Sequence, residues 1–267
     1  MSSIVTLTTD WSTNDYYTGI VKALIISKCK DVSIIDISHN IQPYSIPQAA
    51  FIVKSVYKNF PLGTIHIIGV NSINSKNNSV LVVVIENQYF ITSNNGFIDL
   101  LLSENQEIQE IYEFKIAKNI SFPEKDIFTE IACKIINNEN ISDFSVDKNK
   151  INLISNLLPI INEKSISGNI IYIDSYGNII TNITKNLFQE NIAYAYYAYC
   201  IIINNSPLIK ITTISDNYDS VKKGELVAIF NSLGLLEIAQ RNGNFAQMFA
   251  IDYSSPILII FGDSLCY

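Results

Sequence analysis

Short apolar runs separated by polar turns organise the chain, and the spacing of the apolar positions changes past its midpoint. In the first half, β-branched runs alternate with segments of helical spacing. Ser3–Thr9 reads as a strand ending at Asp10. Asp15–Cys29 carries Ile20, Val21, Leu24 and Ile25 at helical spacing, and Val32–Ile37 reads as a second strand. A β-α-β opening of this kind predicts a parallel sheet with right-handed crossovers. Ser45 is placed to cap a helix running to about Phe60, with Pro47 tolerated in its first turn. Pro61-Leu62-Gly63 ends that helix, and Thr64–Val70 follows as a third strand. Val80–Ile85 and Gln88–Thr92 read as a hairpin across Glu86-Asn87. Ser93-Asn94-Asn95-Gly96 reads as a turn opening a short helix, Ile108–Phe114 as a strand, and Asp126 as the cap of a helix over Ile127–Ile136.

From about Ile141 to Ser167 neither period holds, which sets a domain boundary and predicts domains over 1–160 and 165–267. Beyond it, strands are expected at Asn169–Asp174, Ile179–Ile183, Ala195–Ile203, Leu208–Thr212, Leu226–Phe230, Leu235–Ala239 and Pro256–Phe261. Short helices intervene near Lys185–Gln189 and Ala246–Ile251. Regularly spaced short strands predict a barrel or a sandwich.

Apolar residues make up 48% and charged residues 16% of the 267 positions, enough for a sizeable core and too apolar for a disordered chain. The net charge is −7 and the basic residues are mostly isolated, so a nucleic-acid backbone is excluded as a partner. Cys29, Cys133, Cys200 and Cys266 are far apart and suggest thiols in a reducing compartment, neither a metal site nor a disulfide framework. The opening Met1-Ser2-Ser3-Ile4 has no basic leader, and no apolar run reaches membrane-spanning length. A cytoplasmic protein with no membrane partner is expected.

The richest polar stretch is Ile170–Asn182, where two apolar runs flank Asp174-Ser175-Tyr176-Gly177-Asn178. Gly177 permits a positive φ, and the corner gathers a carboxylate, an aromatic ring and an amide. A polar, flat, partly cationic ligand needs such a set. The same residues also suit a plain strand-turn-strand. Other strand-end polar groups are Asp10, Asp15, Tyr44, Asn71 and Ser232, and open α/β sheets bind ligands at strand carboxyl ends. His66, inside a strand, reads as a satisfied core group; His39, in a loop, is the better candidate of the two histidines. No G-x-S-x-G, phosphate-binding glycine loop, H-E-x-x-H or metal-spaced cluster occurs.

In order along the chain, several pieces then align with one family. These are Leu7-Thr8-Thr9-Asp10-Trp11 with Asp15, Ile35-Asp36-Ile37-Ser38-His39-Asn40-Ile41 through Pro43, and Phe60-Pro61-Leu62-Gly63-Thr64-Ile65-His66. The second half adds Tyr172-Ile173-Asp174-Ser175-Tyr176-Gly177-Asn178, Asn231-Ser232-Leu233-Gly234-Leu235-Leu236-Glu237-Ile238-Ala239 and Gly243-Asn244. With these pieces the chain resembles, nearly end to end, the S-adenosylmethionine hydroxide adenosyltransferases and their fluorinase and chlorinase relatives. The resemblance implies a Rossmann-like N-terminal α/β domain, a C-terminal β-barrel domain, and a homotrimer with sites between subunits. It implies S-adenosylmethionine as substrate, with no cofactor and no metal. Carried over by position, Asp10 would hold the ribose hydroxyls and Tyr44 would flank the adenosyl group. Asp15 and Tyr17 would border the pocket, and Asp174 would pair with the methionine ammonium. Tyr176 would lie beside the flat or cationic part, Asn178 would read adenine and Ser232 would bind the carboxylate. Gln240, Arg241 and Asn242 would contact adenine.

The resemblance breaks at the water-positioning Asp-Arg-His set of the hydroxide-transferring members. Asn71 stands for the Asp, Asn78 or Ser79 for the Arg, and Pro123 for the His. Glu124 occupies the position of the small residue near the halide in the halogenases, where a carboxylate would repel a halide. Leu233 stands where the halogenases have a basic residue. Three readings follow. One is a hydrolase giving adenosine and methionine, with Asn71, Asn78 and Glu124 as candidate catalytic residues. The second is a non-catalytic binder of S-adenosylmethionine or adenosine. The third is transfer of the adenosyl group to another nucleophile such as halide.

Overall fold

The structure, a computed structural model, describes residues 2–73, 79–103, 106–117, 120–154, 158–192, 198–204, 206 and 209–262. It divides into two compact units, Met1–Ile154 and Ser155–Tyr267.

In the first unit, β1 (Ser3–Thr9), α1 (Tyr17–Lys28), β2 (Val32–Ser38), α2 (Ile46–Val56) and β3 (Ile65–Gly69) form two successive β-α-β crossovers. The hairpin β4 (Ser79–Ile85) and β5 (Gln88–Ser93), the short α3 (Phe97–Leu101), β6 (Glu110–Lys115) and α4 (Thr129–Ile136) complete it. The six strands run in the order β2-β1-β3-β5-β4-β6. β2, β1, β3 and β5 are parallel, and β4 is antiparallel to both its neighbours. The Glu86-Asn87 turn has φ of 50° and 57°, the left-handed pair that a two-residue hairpin requires.

The sheet is buried on both faces, which explains its near-continuous apolar strands. One face packs Val5, Leu7, Ile65 and Ile67 against Val21 and Ile25 of α1 and Ile131 and Ala132 of α4. The other packs Ile68, Leu81, Val83 and Phe90 against Ala49, Ala50 and Val53 of α2 and Phe97 of α3. Gly96 opens α3 at φ 96°, and a Cβ there would lie 2.2 Å from Ile154 Cγ1, so only glycine fits. His66 is a satisfied core group, as its strand position predicts. Its Nδ1 lies 2.7 Å from Thr6 Oγ1, its Nε2 lies 2.7 Å from Gln88 Oε1, and its ring stacks on Phe90. Burial lowers its pKa to about 4.

One expectation is corrected here. Asp126 does not cap a helix: the chain is already helical from Pro123, and Asp126 N donates to Phe122 O at 3.1 Å. A single wide π turn, Glu124–Phe128, precedes α4.

The second unit begins with β7 (Ile160–Asn162) and β8 (Ser165–Gly168), a hairpin inside the stretch expected to be irregular. β9 (Ile170–Ile173), β10 (Ile179–Thr184), α5 (Lys185–Ile192), β11 (Tyr199–Ile203) and β12 (Lys210–Ile211) follow. β13 (Leu226–Phe230), β14 (Leu235–Gln240), α6 (Phe245–Met248) and β15 (Ile257–Phe261) end it. The strands form two antiparallel sheets, β13-β14-β10-β9 and β12-β11-β15-β8-β7. Ile166, Ile179, Ile201, Leu236, Ile238, Phe245, Ile257 and Ile259 fill the core they share. Among the described residues a single parallel bridge, Ile214 to Ala228, links the segment after β12 to β13.

Candidate active site

In the first unit, strand order reverses at β1. Its chain successor β2 lies on one side and β3 on the other, so β1 and β3 open a crevice at their carboxyl ends. Asp10 stands at that point. Its Oδ2 accepts the backbone N–H of Tyr44 at 2.8 Å and, at a longer 3.5 Å, that of Asn71. Tyr44 and Asn71 have φ of 68° and 47°, and Ser12 has φ of 67°. Two non-glycine residues in the left-handed region therefore meet at one carboxylate, and the third, Ser12, follows it by two positions in the chain. Such strained backbone persists where surrounding contacts over-determine it and clusters at functional sites.

Each strained loop has an anchor. Asn95 Nδ2 donates to Val70 O at 2.9 Å and to Asn71 O at 3.2 Å, while Asn95 Oδ1 accepts from Phe97 N. Ser12 N donates to His39 O at 2.7 Å. His39 is buried, with Nδ1 2.8 Å from Thr9 Oγ1. Its Nε2 lies 3.1 Å from Asp36 Oδ1, at ion-pair distance but without hydrogen-bond alignment. With both nitrogens facing protein groups, His39 braces the loop beside Asp10.

Glu124 is 4% exposed, against the crevice wall. A Cβ on Gly69, the last residue of β3, would lie 3.0 Å from Glu124 Cγ, 3.1 Å from Glu124 Oε1 and 2.9 Å from Trp11 Cζ2. Glycine at 69 is thus what lets the carboxyl and the indole lie against the strand end. Burial raises the Glu124 pKa; the Ser72 hydroxyl and the backbone amide oppose the rise, and the Asp10 charge adds to it. Trp11, Tyr17 and Phe122 stand together beyond it, with Trp11–Phe122 ring centroids 5.4 Å apart and Tyr17–Phe122 5.3 Å apart. Asp15 is exposed, and the Tyr44 ring is 73% exposed. The structure therefore gathers Asp10, Asn71, Glu124 and the Tyr44 backbone. Asn78 lies outside the described residues. Asn95, Ser72 and Gly69 escape a sequence reading because their roles arise only from contacts across the fold.

In the second unit, the 174–178 corner is an aspartate-built turn. Asp174 Oδ1 accepts from the backbone N–H groups of Tyr176 and Asn178, both at 2.9 Å. Asp174 Oδ2 accepts from Asn178 Nδ2, also at 2.9 Å. An ionised carboxylate offers about four lone-pair sites, so room remains for a further donor. Gly177 has φ 80°, and its carbonyl accepts from Ala246 N at 3.0 Å. A Cβ there would lie 2.0 Å from Asn244 Oδ1, the cap of α6. Tyr176 is 75% exposed.

Strand register decides which candidates share an end of this sheet. Ile179 pairs with Ile238, which puts the 174–178 corner beside the Gln240–Asn242 turn. Thr184 pairs with Leu235 and Lys185 N donates to Gly234 O, which puts the Asn231–Gly234 turn and Ser232 at the other end. Gln240 is buried, with Nε2 donating to Gly224 O at 3.0 Å. Arg241 pairs with Asp219 at 2.7 Å and donates to Val221 O at 2.6 Å. Asn242 is exposed, with φ 54°. Among the described residues, no three His, Cys, Asp or Glu side chains are grouped to hold a metal, and no helix is long and apolar enough to cross a membrane.

These features define a two-unit protein with a carboxylate-centred crevice at an α/β sheet end and a second polar corner on a β sheet. The chain belongs to the S-adenosylmethionine hydroxide adenosyltransferase family: the N-terminal domain of that family matches residues 5–145 and its C-terminal domain residues 168–258. It is similar to the (R)-S-adenosyl-L-methionine hydrolase of Methanocaldococcus jannaschii, with 27% identity over 97% of this chain and 96% of that protein. Its fold is similar to the crystal structure of an uncharacterised conserved protein from Thermotoga maritima. There the TM-score is 0.80 and the identity 24%, over 96% of this chain and 99% of the other. A conserved hypothetical protein from Thermus thermophilus has a TM-score of 0.74 at 17% identity, over 97% of this chain and all of the other.

Proposed function

We propose that the chain is an enzyme that hydrolyses S-adenosylmethionine to adenosine and methionine. The oxygen of water attacks the 5′ carbon, the bond from that carbon to the sulfonium breaks, and methionine leaves as a neutral thioether. The water proton passes to a carboxylate. The observation that carries this reading is the Glu124 carboxyl, buried at the crevice beside Asp10 with its pKa raised by that burial. A base poised nearer to neutrality than an ordinary glutamate suits proton acceptance at physiological pH. The sulfonium already supplies a good leaving group, so positioning accounts for much of the remaining rate.

Asp10 holds the ribose hydroxyls, Tyr44 flanks the adenosyl group, Asp15 and Tyr17 border the pocket, and Asn71 orients the water, with Asn78 as its companion. Asn178, Gln240, Arg241 and Asn242 take adenine. Asp174 pairs with the ammonium through its remaining lone pair, Tyr176 lies beside the cationic part, and Ser232 takes the carboxylate. No cofactor is needed for a displacement of this kind. The same family resemblance supports a cytoplasmic homotrimer with sites built by neighbouring subunits and a second unit closed as a β-barrel.

The test is incubation of the purified protein with each sulfonium epimer of S-adenosylmethionine, with and without halide, followed by product chromatography. Equal amounts of adenosine and methionine are expected. Saturable binding without turnover would identify a binder instead, and a 5′-halo-nucleoside would identify halide transfer.

A further inference from the structure

On the outer face of the four-stranded sheet of the second unit, Tyr172, Ile180, Glu237 and Ile229 lie in register across β9, β10, β14 and β13. The neighbouring row, Ile173, Ile179, Ile238 and Ala228, points into the core. Glu237 is therefore a carboxylate in mid-strand on a face that otherwise offers apolar groups, and it is only 5% exposed. A buried carboxylate is costly unless its oxygens are engaged. Here both are. The Tyr218 hydroxyl donates to Oε1, and Asn231 Nδ2 donates to Oε2 at 3.2 Å.

The second bond fixes which way Asn231 faces. With Nδ2 turned to Glu237, Asn231 Oδ1 is left to accept the backbone N–H of Leu233 at 3.0 Å and of Leu235 at 3.2 Å. Asn231 O accepts from Gly234 N at 2.8 Å, and Asn231 N donates to Leu235 O at 3.0 Å. One side chain thus sets the whole turn that exposes Ser232. Tyr218 is held in its turn: Asn217 caps the short helix Tyr218–Ser220, and Arg241 ties Asp219 to the end of β14. Asp174 lies close enough for its charge to disfavour ionisation of the Tyr218 phenol, after burial and the Glu237 carboxylate.

We propose that Tyr218, Glu237 and Asn231 form a positioning chain that sets the Ser232 turn, so that the turn meets the carboxylate of a ligand's amino-acid end. The inference rests on the proposed reading, in which the ligand has an amino-acid end. Replacing Glu237 by glutamine faces the Asn231 amide with a second N–H donor or, with the amide flipped, takes away the acceptor of the Tyr218 hydroxyl. Removing the Tyr218 hydroxyl frees one carboxylate oxygen in a buried setting.

The test compares two ligands by calorimetry and kinetics: S-adenosylmethionine, and 5′-methylthioadenosine, which keeps adenine, ribose and sulfur but lacks the amino-acid end. In Glu237→Gln, affinity for S-adenosylmethionine should fall about tenfold or more, with KM raised and kcat little changed, while affinity for 5′-methylthioadenosine stays within twofold. Tyr218→Phe should move the same way by a smaller factor, and it keeps the test available if Glu237→Gln does not fold. Equal weakening for both ligands, or no change for either in a wild-type protein that binds S-adenosylmethionine, would overturn the positioning chain alone. A wild-type protein with no affinity for S-adenosylmethionine would overturn the functional reading and the chain with it.

Discussion

Replacing Glu124 by glutamine separates charge from shape at the crevice. The amide is isosteric and still lies against Gly69 and Trp11. It cannot take a proton from water. Loss of a positioned general base costs about 10²- to 10⁴-fold, equivalent to about 3 to 5 kcal/mol of transition-state stabilisation. Stability should move the other way. Burial raises the Glu124 pKa, so the folded protein is penalised for the charged form, and stability falls as pH rises from the ordinary glutamate range through the raised folded-state value. Glutamine has no charge to desolvate, so the variant should melt no lower than wild type at pH 8. The wild-type kcat/KM should climb with pH through the Glu124 ionisation, and the variant should lose that limb. The assay is adenosine release across pH 4 to 9, with thermal melts on the same samples. A Glu124→Gln protein that turns over at the wild-type rate with the wild-type pH profile would remove Glu124 as the base.

Three further outcomes follow from other parts of the fold. His66 has a folded pKa of about 4 against 6.5 unfolded, so stability present above pH 6.5 is lost as pH falls towards 4, by about 3 kcal/mol. Denaturant midpoints for wild type and His66→Leu should differ in their pH dependence over that window, and parallel curves would refute the assignment. Gly69→Ala puts a methyl within about 3 Å of both Trp11 and Glu124 and should cost about 1–3 kcal/mol in stability, read by denaturant titration. It should also cost at least tenfold in kcat, and an unperturbed enzyme would mean the strand end has slack. Asp174→Asn keeps an acceptor for the Tyr176 and Asn178 backbone N–H groups but removes the charge and turns an N–H donor toward Asn178 Nδ2. Its melting temperature should hold within a few degrees while the Kd for S-adenosylmethionine rises about tenfold or more, read by calorimetry. Equal affinity would separate Asp174 from ammonium binding.

The elements that periodicity makes legible are those whose faces are cleanly buried. β1 falls on Ser3–Thr9, and the Glu86-Asn87 turn sits where two apolar runs leave two polar residues between them. The β7–β8 hairpin is hidden because Ile160 and Ile161 are exposed and Ser165–Gly168 offers one buried isoleucine, Ile166, among small residues. The π turn over Glu124–Phe128 leaves no periodic trace, so the pattern places the helix start too late, at Asp126. At the crevice, Asp10 and Asn71 are legible as polar groups at strand ends. The contacts that make them a site are not. Asn95 holds the Asn71 loop from 24 residues away, and Gly69 makes room for a carboxyl contributed by another element. Glu124 is named in sequence only by alignment with a family stretch; its burial, against the Gly69 strand end beside Trp11, is encoded by no local pattern. In the second unit, the Asp174 turn is legible from Asp, Gly and Asn spacing, whereas the engagement of Glu237 depends on a tyrosine 19 residues earlier.

Turnover of S-adenosylmethionine in ¹⁸O-labelled water tests the central claim most directly. Attack by water at the 5′ carbon predicts one ¹⁸O atom in the 5′-hydroxyl of adenosine, none in methionine, and equal amounts of the two products by mass spectrometry. Label in an amino-acid product, 5′-methylthioadenosine in place of adenosine, or no turnover of either sulfonium epimer would contradict it.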